Sequence, residues 1–110
     1  MDIAGTLHVT TRDGEVDFAF TVSNESTEIV ELDFTTGFIA DFAVFADDTE
    51  VWRWSDDRLF TQELTTETLE PGESFQETAL WIDPDPGDYR AVAELQTRTY
   101  DLTAEDTFVV

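Results

Sequence analysis

The sequence predicts an all-β fold: an immunoglobulin-like antiparallel β-sandwich of about seven to nine strands. Three observations carry this expectation. Apolar residues recur with a period of two along most of the chain, turn-forming clusters separate the alternating runs, and no stretch shows helical spacing. Seventeen threonines add to it, because threonine suits a pleated, half-solvated surface. A chain of 110 residues suits one domain, and neither a linker nor an internal repeat divides 1–110.

Taken in order, a first strand covers 6–10 and ends at the turn Arg12-Asp13-Gly14. Val16, Phe18, Phe20 and Val22 then alternate with Asp17, Ala19 and Thr21, giving a strand with one clear inner face. Residues 23–26 turn the chain. Val30, Leu32 and Phe34 alternate with Glu31 and Asp33, and 41–45 places Phe42 and Val44 on one side. Asp47-Asp48-Thr49 reads as a turn into a returning strand, 50–54, where Trp52 and Trp54 share a face. Residues 55–66 break the pattern and read as a loop with one helical turn. Pro71-Gly72 is a strong turn signal before a strand at 75–82, since proline presets φ and glycine accepts φ > 0. After 83–87, Tyr89, Ala91, Ala93 and Leu95 alternate again, and 107–110 forms a last strand. Tyr89 sits early in a late strand, where sandwiches of this type tie the hydroxyl back to the corner backbone.

Charge narrows the class of partner. Twenty-six acidic residues stand against five arginines and no lysine, for a net charge of −21. A folded chain of this mass exposes roughly 6,000 Å², which spaces evenly spread carboxylates about 15 Å apart. The screening length is about 30 Å at 0.01 M salt and about 3 Å at 1 M. Each acid therefore feels several neighbours in dilute buffer and almost none in molar salt, where the self-repulsion disappears. The acids run along the whole length, so they coat a folded surface rather than form a tail. We expect a cytoplasmic protein of an organism with molar internal salt. Nucleic acid and anionic membrane are excluded as partners, since both need clustered lysine and arginine. No apolar run is long enough to span a bilayer, and residues 1–5 lack the basic start of a secretory signal.

Little chemistry is available. Without cysteine there is no disulfide or thiolate site, and a single histidine makes a zinc site or a histidine-based triad improbable. His8 lies mid-strand between core-facing neighbours and should point to solvent. Asp47-Asp48, Asp56-Asp57 and Asp83 with Asp85 match no calcium loop and read as solvated turns. The reading is therefore no catalytic residue, no metal ligand and no cofactor. The unusual segment is 51–62, which holds two of the three tryptophans and two of the five arginines. Its tryptophans fit either a sandwich core or a binding surface, where tryptophan and arginine are the commonest hot spots. Phe60 fits either a plug in the sandwich end or an exposed anchor.

At this segment the chain resembles a known family. Thr36-Gly37, Ala40-Asp41-Phe42-Ala43-Val44, Val51-Trp52-Arg53-Trp54-Ser55 and Phe60-Thr61-Gln62 follow one another. Leu69-Glu70-Pro71-Gly72-Glu73-Ser74 and Pro86-Gly87-Asp88-Tyr89 come next. In that order they are similar to the BsuPI-type intracellular proteinase inhibitors, here in a halophilic, haloarchaeal form. The resemblance implies a small immunoglobulin-like sandwich found inside cells that inhibits a subtilisin-type serine protease. Inhibition would be steric, with a rigid loop occupying the protease cleft. The residues expected to touch the protease are Ser55, Asp56, Asp57, Arg58, Leu59, Phe60, Thr61 and Gln62, with Leu59 or Phe60 in a hydrophobic specificity pocket. Trp52 and Trp54 would support the loop from beneath, and Arg53 would pair with Asp41. The alternative is a non-inhibitory recognition or scaffolding module adapted to high salt, and an enzyme using paired acids ranks last. The oligomeric state stays open.

Overall fold

A computed structural model describes residues 3–56 and 58–110. Among them are nine strands and no helix: β1 (Ile3–Arg12), β2 (Glu15–Asn24), β3 (Val30–Phe34), β4 (Ala40–Ala46), β5 (Thr49–Arg53), β6 (Thr65–Leu69), β7 (Ser74–Ile82), β8 (Asp88–Leu95) and β9 (Thr103–Val109). All pairings are antiparallel. One layer has the order β1-β2-β7 and the other β5-β4-β8-β9, with β3-β6 as a separate two-stranded ladder.

The inner face of β2 decides the architecture. Val16, Phe18, Phe20 and Val22 are all buried, and they meet Phe42 and Val44 of β4 and Ala91 and Ala93 of β8 in one core. Phe42 lies 6.2 Å from Phe18 and 6.5 Å from Phe20, ring centre to ring centre, which locks the two layers face to face. The same alternation carries Asn24 inward. Its side-chain nitrogen donates to the carbonyls of Glu28 (2.7 Å) and Leu69 (2.9 Å), so a buried amide ties β2 to the end of β6.

The turns form where their residues permit. Asp13-Gly14 closes β1-β2 as a two-residue hairpin with Gly14 at φ 74°. Asp47-Asp48 closes β4-β5 with Asp47 at φ 54°. The Glu73 N–H donates to the Glu70 carbonyl at 2.9 Å across Pro71-Gly72, with Gly72 at φ 81°. The Tyr89 hydroxyl donates to the Asp85 carbonyl at 2.6 Å, the corner tie expected of it. His8 is exposed, as its strand position required.

Two expectations need correction. Residues 65–69 are a strand, because Thr65-Thr66-Glu67-Thr68 pairs with β3 through its backbone while only Leu69 is buried. The expected helical turn after Trp54 is instead a pair of overlapping turns. Asp56 N–H bonds to the Arg53 carbonyl and Arg58 N–H to the Ser55 carbonyl, each at 3.2 Å and three residues apart, and no helix follows among the described residues.

Candidate functional site

Asp41 fixes the root of the segment that leaves β5. It is a buried carboxylate in β4 that accepts hydrogen bonds from its own strand, from β5 and from Ser55 just beyond β5. One oxygen takes the backbone N–H of Phe42 (2.9 Å) and of Ser55 (3.1 Å). The other takes the Ser55 hydroxyl (2.8 Å) and an Arg53 guanidinium N–H (2.7 Å). Arg53 also donates to Glu50 at 2.6 and 3.0 Å. Its proton is held more tightly than an ordinary arginine's, first by the Glu50 bonds and then by Asp41, against a loss from burial. Arg53 is thus a structural cation, satisfied by two acids of its own chain.

Beyond Ser55 the chain is fastened at three further points. The Arg58 guanidinium lies 4.3 Å over the Trp54 ring, and its Nε donates to the Trp54 carbonyl at 2.7 Å. Phe60 stacks on Phe38 with ring centres 4.4 Å apart and sits tilted against Trp54 at 5.8 Å. The Thr61 carbonyl accepts from Gly37 N–H at 2.9 Å. At Gly37 an added Cβ would stand 2.8 Å from the Thr61 hydroxyl, so this close approach suits glycine.

These contacts sort the predicted residues. Ser55 is half-buried and Asp56, Arg58, Thr61 and Gln62 are exposed, while Asp57 lies outside the described residues. Leu59 is 100% exposed between two fastened neighbours. Phe60 is half-buried between Phe38 and Trp54. Trp54 does lie beneath the loop. Trp52 does not: it stacks 5.6 Å from Phe18 and 5.8 Å from Trp81, between the layers. A bulge in β4-β5, where Val44 opposes Trp52 but Phe45 opposes Glu50, keeps Trp52 on the inner face. Sequence reasoning missed Phe38, which the Thr36-Gly37 turn delivers to Phe60.

Among the described residues no cluster of three or more His, Asp or Glu side chains could hold a metal ion. His8, in β1, is not among the groups that the loop brings together.

Residues 3–100 match the family described as BsuPI, intracellular proteinase inhibitor. No curated protein matches the chain. Among solved structures, a CARDB domain from Pyrococcus furiosus is similar at 16% identity, with a TM-score of 0.54 over 99% of this chain and 94% of that one. A β-glucosidase from Kluyveromyces marxianus is similar at 13% identity and TM-score 0.54, over 98% of this chain and only 14% of its own. A penta-heme cytochrome c552 from Thermochromatium tepidum gives a TM-score of 0.60 at 8% identity, over 97% of this chain and 40% of its own. At these identities the likeness is one of fold. No helix among the described residues is long and apolar enough to cross a membrane.

Proposed function

The chain belongs to the family of intracellular proteinase inhibitors, and from that premise we propose that it blocks a subtilisin-type serine protease by filling the protease cleft with residues 55–62. The observation that supports this reading is Leu59, a fully exposed apolar side chain carried between Arg58 and Phe60, both fastened to Trp54. A loop held in this way gives up little freedom on binding, where each mobile side chain would cost about 0.5–1.5 kcal/mol. Leu59 enters the specificity pocket, and Asp56, Arg58, Thr61 and Gln62 line the cleft on either side. The inhibitor works in the cytoplasm at molar salt, where its anionic coat is screened.

Titration of a salt-tolerant subtilisin-type protease in 2 M KCl tests the reading. The intact protein in molar excess should suppress hydrolysis of a peptide substrate, and Leu59→Asp should weaken inhibition at least about thirtyfold, the loss expected of a central anchor. Full protease activity at excess protein would instead favour a non-inhibitory recognition module.

A further inference from the structure

The sandwich is open along one side. β5 and β7 end their respective layers there, each paired on one edge only among the described residues, and the stacked rings of Trp52 and Trp81 hold them one above the other. Between them run two adjoining depressions of about 550 and 510 Å³ that share Trp54, Arg58, Leu80 and Ile82. Leu80 is 39% exposed and Ile82 61%, with Val51 at the opposite rim.

Few acids line this groove. With 26 acids in 110 residues, about one position in four is acidic. The two runs that line it, 51–54 and 78–82, contain none. Two acids do line it: Asp17, which is paired with Arg12, and Asp56. Arg58 presents its guanidinium over Trp54 and forms no ion pair with a carboxylate among the described residues. Proteins ordinarily protect a sheet edge with charge, proline or a bulge. The 78–82 edge of β7 has none of these, and its pairing with β2 is regular.

We propose that this groove takes an extended segment of a partner protein as an added strand on β7, apolar at alternate positions and carrying one carboxylate that meets Arg58. An unpaired strand edge supplies backbone hydrogen bonds to such a segment, and pockets beside it read alternate side chains. The outer edge of 78–82 matches about five residues, roughly 17 Å of strand. A carboxylate is the partner that a guanidinium on an aromatic face, in a groove lined largely by uncharged residues, recognises best. The proposal goes beyond protease inhibition and holds for a partner of either kind.

The probe is the peptide acetyl-Thr-Val-Asp-Val-Thr-Val-amide, added to the ¹⁵N-labelled protein in 1 M KCl. Saturable amide shifts should be confined to 51–54 and 78–82, together with the indole N–H groups of Trp52, Trp54 and Trp81. Replacing the peptide's aspartate by lysine should weaken binding about fivefold, and Arg58→Gln should remove the difference between the two peptides. A central proline in the peptide, which cannot donate to the edge, should abolish it. No saturable shift up to millimolar peptide, shifts elsewhere, or equal binding of the aspartate and lysine peptides would overturn the proposal. Shifts of the same amides on concentrating the protein alone would also overturn it, by making the occupant a second copy. Because no protease is present, failure here leaves the inhibition test untouched.

Discussion

Two carboxylates show how environment separates one acid from another. Asp41 is buried, yet it accepts four hydrogen bonds and faces an arginine. Removing one member of such a set leaves the others unsatisfied. Asp41→Asn should cost about 2–3 kcal/mol, read as a lowered denaturation midpoint with an unchanged slope. Glu77 has the opposite setting. Burial on the inner side of β7 lifts its carboxyl above the usual range, and the nearby Glu67 lifts it further. The folded chain therefore keeps this proton to a higher pH than the unfolded chain, and stability falls as pH rises from the ordinary glutamate range through the raised value. Glu77→Gln should raise the melting temperature at pH 7 and lose that advantage near pH 4. Measuring in 2 M KCl removes the general benefit of deleting one anion, so the desolvation effect remains visible.

At the scale of elements, legibility followed the amount of side-chain burial. β2 was readable because its apolar residues alternate with polar or small ones, and β4, β7 and β8 showed enough of the same pattern. β6 was not, since four of its five residues are exposed and its pairing with β3 is made by backbone groups that any sequence possesses. The loop after Trp54 was visible as a break in alternation and as the site of the concentrated tryptophan and arginine. Its fastening was only half legible. The Arg53–Asp41 pair could be foreseen, but the Phe38–Phe60 stack joins residues 22 apart across two loops, and no local spacing announces it. Phe60→Ala should therefore act mainly on the loop. We expect about 1–2 kcal/mol of lost stability, below the cost at a fully buried site, and faster cleavage within 58–62 by an unrelated protease such as thermolysin. Unchanged cleavage would show that the stack does not restrain the loop.

On the whole molecule, 26 carboxylates share 6768 Å² of surface with five arginines, three of which form ion pairs with carboxylates among the described residues. Mutual repulsion then opposes compaction in dilute buffer and is screened in concentrated salt. The melting temperature should rise by about 10 °C or more between 0.05 M and 2 M KCl. Equal melting in both would remove the case for adaptation to salt. Against that coat stand two apolar exposures, Leu59 at the loop tip and Leu80 with Ile82 beside the open edge of β7.

Steady-state kinetics on a small peptide substrate bear most directly on the central claim, that residues 55–62 fill a protease cleft. With increasing inhibitor in 2 M KCl, the apparent KM of the subtilisin-type protease should rise while kcat stays constant, because inhibitor and substrate compete for one cleft. A falling kcat at constant KM, or no change in either at excess inhibitor, would contradict it.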